Sequence, residues 1–177
     1  RYYASPVGKI AILTMDNGHD YKRPNTFGEE AMRSLNKALD GIVQEPGVKG
    51  LLLTGKPFIF AAGADLTEVP FITTYDQGYQ IGKFGHTVMK RIMDLPYPSV
   101  AAINGVALGG GLEIALYCTA RTVAVSVPAI GFPECFLGLI PGWGGSTLGT
   151  KLLGPEKALE LIITNALNQN RIDRKSV

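Results

Sequence analysis

Cysteine is scarce in this sequence, and its two cysteines show no metal-ligand spacing. They are Cys118 and Cys135. A chain of 177 residues can bury enough apolar surface to fold without disulfides. We therefore expect both cysteines to be small core residues in a protein of a reducing, cytoplasmic compartment.

A long apolar run is also lacking. No stretch approaches the about 20 apolar residues of a membrane span. Residues 1–6 contain no apolar core of a signal peptide. We expect neither a membrane span nor a secretory leader.

Charged residues are few, at 18% of the chain, and the net charge is only +2. The lysines and arginines are scattered, which argues against a nucleic-acid partner. The hydrophobic fraction of 46% excludes a disordered or low-complexity chain. The composition predicts a single domain over residues 1–177. The polar, aperiodic stretch at 165–177 indicates that this domain is incomplete at its carboxyl end.

Apolar periodicity alternates along the chain between that of strands and that of helices. Strands are predicted at 9–15, 48–54, 99–104 and 121–125, and helices at 29–43, 75–93, 112–118 and 155–164. Residues 58–66 begin as a strand and break into a loop, 105–111 form a glycine-rich turn, and a sharp turn at 141–145 opens onto a helix. This alternation predicts an α/β fold with a parallel or mixed sheet joined by helical crossovers.

Two glycine patterns resemble nucleotide-binding motifs and fail in detail. Gly50 and Gly55-Lys56 have the spacing of a phosphate loop, but Pro57 replaces the hydroxyl residue and the intervening residues fit a strand. The glycines at 109–111 lack the third glycine of a dinucleotide turn. We therefore do not predict nucleotide binding.

Two loops of small residues, 61–65 and 109–111, each follow a predicted strand. Side chains there offer no chemistry, so a polar ligand must be met by backbone amides. Two such amides can serve one oxygen, which is the design of an oxyanion hole. The alternative for each loop is a tight turn with no ligand.

Two glutamates, Glu113 and Glu134, stand in apolar segments beside the glycine turns. A buried carboxylate is costly unless it is paired or used. Either each forms an ion pair, with Arg121 or Lys151 as the candidates, or the two act together in acid–base catalysis.

Three linked motifs resemble the crotonase superfamily. They are Phe-Ala-Ala-Gly-Ala-Asp-Leu at 60–66, Asn-Gly-Val-Ala-Leu-Gly-Gly-Gly-Leu-Glu at 104–113, and Pro133-Glu134 followed by Pro-Gly-Trp-Gly-Gly at 141–145. Their order and spacing are those of enoyl-CoA hydratases. The segments 25–28, 56–60 and 167–171 look more like the amino-terminal hydratase part of multifunctional fatty-acid oxidation proteins of actinobacterial type.

The resemblance implies a crotonase-like spiral of ββα units, with the family's C-terminal helices missing from this chain. It also implies a homotrimer or hexamer and allows fusion to a 3-hydroxyacyl-CoA dehydrogenase in a longer chain.

The implied reaction is hydration of a 2-enoyl-CoA to a 3-hydroxyacyl-CoA in β-oxidation. By motif, the site residues are Glu113 and Glu134 as catalytic acids and bases, Ala64 and Gly110 as oxyanion-hole amides, Gly142 as the water-positioning amide, and Ala62 and Leu66 at the adenine end of coenzyme A. No metal or redox cofactor is implied, because coenzyme A belongs to the substrate. Two alternatives remain: an enoyl-CoA isomerase, which usually needs one carboxylate, and a non-catalytic acyl-CoA-binding subunit. The presence of both glutamates favours the hydratase.

Overall fold

The computed structural model describes residues 1–20 and 22–164, which form two sheets and five α-helices. The larger sheet contains β1 (Tyr2–Ser5), β2 (Gly8–Met15), β3 (Val48–Gly55), β5 (Ser99–Ile103) and β7 (Ala120–Val123). The smaller sheet contains β4 (Phe58–Ala62), β6 (Gly105–Leu108) and β8 (Ile130–Gly131). The helices are α1 (Glu29–Gln44), α2 (Tyr75–Met93), α3 (Gly110–Leu116), α4 (Gly145–Leu153) and α5 (Pro155–Leu159).

The strands follow the spiral expected from the motifs. The larger sheet has the order β1-β2-β3-β5-β7 and is parallel except for the β1–β2 pair. The smaller sheet, β4-β6-β8, is parallel throughout. Each of the units β3-β4-α2 and β5-β6-α3 places one strand in each sheet and then a helix. This repetition confirms the spiral of ββα units.

The two long helices form for reasons that are visible in the sequence. On α1 the residues Met32, Leu35 and Leu39 recur at helical spacing and are buried against the core. A capping box starts α2, because the Thr74 side chain accepts from the Gln77 amide while the Gln77 side chain reaches back. Both helices were predicted within one residue of their observed ends.

The prediction of a glycine-rich turn over 105–111 is wrong in its first half. Residues Gly105–Leu108 form β6, and a Cβ on Gly105 would lie 2.0 Å from the carbonyl carbon of Phe58. Glycine at 105 therefore permits close strand approach instead of marking a turn. Strand β1 was also missed. The predicted aperiodic tail at 165–177 and the motif at 167–171 lie outside the described residues.

The smaller sheet brings the three motifs to one edge. Ala62 at the end of β4 pairs with Leu108 at the end of β6, and Leu108 pairs with Gly131 at the end of β8. Because these strands are parallel, the loops that follow them leave the sheet side by side.

None of the helices in the described residues has both the length and the apolar character of a membrane span.

Candidate active site

The two small-residue loops are in direct contact. Gly63 has φ +81°, and a Cβ there would lie 3.3 Å from the Leu108 carbonyl oxygen and 3.7 Å from the Gly110 amide nitrogen. Gly109 has φ +52° and precedes α3. Both left-handed positions require glycine and allow the two main chains to approach closely.

The amides of Ala64 and Gly110 are both available in these loops. The Phe27 amide donates to the Gly63 carbonyl at 2.8 Å, and the Asp65 amide donates to the Phe27 carbonyl at 3.1 Å. In such a parallel bridge the amide of the intervening Ala64 points away from Phe27. Gly110 is the first residue of α3, so its amide is one that a helix leaves unpaired. Among the described residues, neither amide has a backbone acceptor.

Glu113 lies on α3 and is fully buried, with 2% of its surface exposed. Its Oε1 accepts hydrogen bonds from the amides of Trp143 and Gly145, each at 2.8 Å. Arg121 instead donates to the Cys118 carbonyl. The ion-pair alternative for Glu113 is therefore wrong: its partners are two neutral amides.

Burial raises the pKa of Glu113 to about 7, against the lowering effect of the Gly145 and Trp143 amides, and the charge of Glu134 raises it further. A carboxyl that titrates near neutrality can give up or take a proton at working pH. The other carboxyl oxygen, Oε2, has no hydrogen-bond partner among the described residues, so it is the oxygen that can exchange a proton.

Glu134 opens a short 3₁₀ turn, Glu134–Leu137, just beyond β8. Its side chain lies against the glycine loop, because a Cβ on Gly109 would lie 2.8 Å from Glu134 Oε1. Its Oε2 is buried and has no hydrogen-bond partner among the described residues. Burial raises the pKa of this carboxyl as well. Since the Glu134 charge raises the pKa of Glu113, the two carboxylates lie within electrostatic range of each other.

The remaining candidate residues surround these groups. Ala62 is half-buried at the end of β4, Leu66 is 53% exposed after the first loop, and Gly142 is exposed in the turn before Trp143. Asp65 was not singled out from the sequence, yet its carboxylate closes the first loop. It accepts from the Thr67 amide at 3.0 Å and from the Thr67 hydroxyl at 2.7 Å, and these bonds lower its pKa.

Among the described residues, no histidine or cysteine side chain is hydrogen-bonded to either glutamate. His86 is exposed on α2, and burial raises the pKa of the Cys118 thiol to about 11, which keeps it neutral. In the described part of the chain, no group of three His, Cys, Asp or Glu residues is placed to hold a metal ion.

The raised pKa of Glu113 predicts a pH-dependent stability difference. Its folded-state pKa lies above the unfolded value, so its contribution is fully present below about pH 4.5 and is lost as the pH rises through about 7. Glu113→Gln keeps an oxygen for both amides and carries no charge. As the pH rises from about 4.5 to about 8, we expect the free energy of unfolding of Glu113→Gln to increase relative to that of the wild type by up to about 3 kcal/mol. Thermal unfolding of both proteins across that range checks this, with Glu30→Gln on the exposed face of α1 as the control.

Comparisons with known proteins point to one family. A sequence model of the family described as enoyl-CoA hydratase/isomerase matches residues 8–170. The chain is 37% identical over 159 residues to the fatty acid oxidation complex subunit alpha of Psychrobacter arcticus, covering 88% of this chain and 22% of that protein. It is 35% identical over 153 residues to a probable enoyl-CoA hydratase of Bacillus subtilis, covering 86% of this chain and 57% of that protein.

Solved structures agree with these sequence relatives. The chain superimposes on an enoyl-CoA hydratase from Bacillus anthracis with a TM-score of 0.79 and 34% identity, covering 92% of this chain and 60% of that one. It therefore spans about a fifth of the length of the Psychrobacter subunit and about three-fifths of the hydratase structure.

Proposed function

This chain belongs to the enoyl-CoA hydratase/isomerase family, and from that membership and the site geometry we propose that it adds water to a 2-enoyl-CoA thioester in fatty-acid β-oxidation. The product is the 3-hydroxyacyl-CoA. The observation that carries the proposal is the pair Glu113 and Glu134, two carboxylates without an ion-pair partner in the described residues, beside two loops with free amides. The names of the relatives, a fatty acid oxidation complex subunit and a probable enoyl-CoA hydratase, support an enoyl-CoA thioester as the substrate class.

The thioester oxygen is held by the Ala64 and Gly110 amides. As water adds at the β carbon, negative charge moves onto this oxygen, and two fixed amides stabilise it more strongly than bulk water does. Gly63 and Gly109 supply the backbone turns that bring the two loops together. Each such donor contributes about 3–4 kcal/mol in comparable oxyanion holes.

The two glutamates divide the proton transfers. Glu113 removes a proton from the water as its oxygen bonds to the β carbon, and Glu134 delivers a proton to the α carbon. The step balances, because one water is added to the double bond in total. The proton taken up by Glu113 is then passed to Glu134 through the next bound water, which restores both carboxyls. Burial raises the pKa of both carboxyls, so the pair can share one proton near neutrality, and the reacting form carries it on Glu134 and leaves Glu113 ionised.

The other residues position the reactants. Gly142, an exposed residue, offers its amide to the water, and Ala62 and Leu66 line the adenine end of coenzyme A. In this proposal two amides stabilise the charge on the thioester oxygen and two carboxyls transfer the protons, so no role is assigned to a metal or a redox cofactor.

Assembly and location also belong to the proposal. We place the protein in the cytoplasm as a homotrimer or hexamer. Large exposed apolar side chains on α4, α5 and the π-helical turn Glu160–Thr164, namely Leu152, Leu159 and Ile163, support burial against further protein. The greater length of the Psychrobacter subunit is consistent with fusion to a 3-hydroxyacyl-CoA dehydrogenase. Sedimentation of the full-length protein measures the oligomeric state.

The direct test is the absorbance of the conjugated thioester. Crotonyl-CoA added to the full-length protein should lose that absorbance as the double bond is hydrated. Persistent absorbance together with measurable binding would favour the non-catalytic acyl-CoA-binding alternative.

The pH dependence of the reaction follows from the coupled carboxyls. Hydration needs one carboxyl protonated and the other ionised, so only the singly protonated pair is active. Because the upper titration of the pair is set by Glu113, kcat/KM should fall on the alkaline side with an apparent pKa of about 7. Initial rates with crotonyl-CoA below saturation, measured from about pH 5 to pH 9 at constant ionic strength, check this. A rate that stays flat through neutrality would contradict the shared-proton mechanism.

A further inference from the structure

Helix α3 binds the turn at 141–145 at two points. Glu113 and Tyr117 are four residues apart and so lie on the same face of the helix. Glu113 accepts the Trp143 and Gly145 amides at 2.8 Å, while the Tyr117 hydroxyl donates to the Trp143 carbonyl oxygen at 2.8 Å.

The peptide held by Tyr117 lies between the two peptides that serve Glu113. The Trp143 carbonyl belongs to the peptide that joins Trp143 to Gly144. The peptide before it carries the Trp143 amide, and the peptide after it carries the Gly145 amide. Fixing the middle peptide therefore restricts the rotation of both amides that point at Glu113.

The packing around Tyr117 leaves its hydroxyl little freedom. The residue is 3% exposed, and the edge-to-face contact between its ring and the His86 ring has a centroid distance of 5.9 Å. Gly144 has φ +120°, and a Cβ there would lie 2.3 Å from Tyr117 Oη. The hydroxyl thus fits a space that exists because residue 144 is glycine.

We propose that Tyr117 is a positioning residue for the hydration reaction, because its hydroxyl holds the Trp143 carbonyl and thereby aims two backbone amides at Glu113. This inference rests on the proposed function, in which Glu113 is the base toward water. Without the hydroxyl, the Trp143 carbonyl loses its donor and the turn relaxes, which weakens both amide bonds to Glu113.

The weakened amide bonds have a specific electrostatic consequence. The Gly145 and Trp143 amides lower the pKa of Glu113, so their loss raises it. Three titratable groups face this unit: Glu134 from the 3₁₀ turn, Tyr117 from α3 itself and His86 from α2. Glu134 and His86 are unchanged in a variant that removes only the Tyr117 hydroxyl. Burial raises the pKa of Tyr117 to about 12, so this hydroxyl carries no charge over the assayed pH range.

The test is Tyr117→Phe in the full-length protein, assayed with crotonyl-CoA. We expect kcat to fall about three- to tenfold, which corresponds to one neutral hydrogen bond. KM should change little, and the alkaline limb of kcat/KM should move to higher pH. The matched control is Tyr97→Phe, because the Tyr97 hydroxyl is also buried but has no hydrogen-bond partner among the described residues. It should leave both kcat and the pH profile unchanged.

Two further measurements keep the proposal falsifiable. Gly144→Ala places a methyl group against the same hydroxyl and should reproduce the shift in the pH profile with Tyr117 intact. If the wild type fails to hydrate crotonyl-CoA, the proposed function fails. The Glu113 carboxyl titration can then still be read by infrared difference against Glu113→Gln, and it should move upward in Tyr117→Phe. An unmoved titration, or a lower kcat with an unchanged pH profile, would show that Tyr117 serves stability alone.

Discussion

Glu134→Gln should lower the turnover of a 2-enoyl-CoA by about 10²- to 10⁴-fold, which is the usual contribution of a general acid–base group. The glutamine keeps the shape of the side chain and loses its exchangeable acid proton. Because Glu134 Oε2 has no hydrogen-bond partner among the described residues, the substitution removes no hydrogen bond of that oxygen within them. The loss should therefore appear in kcat, while the affinity for the thioester largely survives.

The measurement combines steady-state hydration of crotonyl-CoA with calorimetric binding of a saturated acyl-CoA. Glu30→Gln on α1 is the control, since it removes one negative charge at an exposed position. Near-normal turnover of Glu134→Gln would show that this carboxylate is structural and would remove half of the proposed acid–base pair.

Much of the framework that holds this pair is predictable from the sequence. The periodicity of Met32, Leu35 and Leu39 predicts α1, because a helix buries residues at that spacing whatever else surrounds it. The smaller sheet was harder to foresee, because β6 begins with Gly105, whose role depends on how close Phe58 lies in space. Glycine alone does not distinguish a turn from a close strand contact.

The surroundings of Glu113 show where reasoning from sequence ends. Its apolar neighbours on α3 predict burial, and burial predicts a raised pKa. Its partners are amides 30 and 32 residues away along the chain, on a turn whose position depends on tertiary packing. Charged residues such as Arg121 are the visible candidates in a sequence, whereas backbone donors carry no residue-type signal. Tyr117 could have been placed near Glu113 from the sequence, because a spacing of four residues puts both side chains on one face of a helix.

Glu113→Gln should separate hydration from double-bond isomerisation. An isomerase moves one proton between two carbons, so a single carboxylate can remove and return it. A hydratase must also deprotonate a water, which occupies a second carboxylate. We therefore expect Glu113→Gln to depress hydration of a 2-enoyl-CoA by about 10²-fold or more. Any shift of a 3-enoyl to a 2-enoyl thioester should suffer much less.

The substitution isolates the base because it leaves the remaining machinery in place. The glutamine oxygen still accepts the Trp143 and Gly145 amides, and the Ala64 and Gly110 amides are untouched. Both activities are measured on the same preparation of the full-length protein, with crotonyl-CoA for hydration and a 3-enoyl-CoA for isomerisation. If hydration survives in Glu113→Gln while isomerisation collapses, then Glu113 is the single carboxylate of an isomerase, and the roles proposed for the two glutamates are wrong.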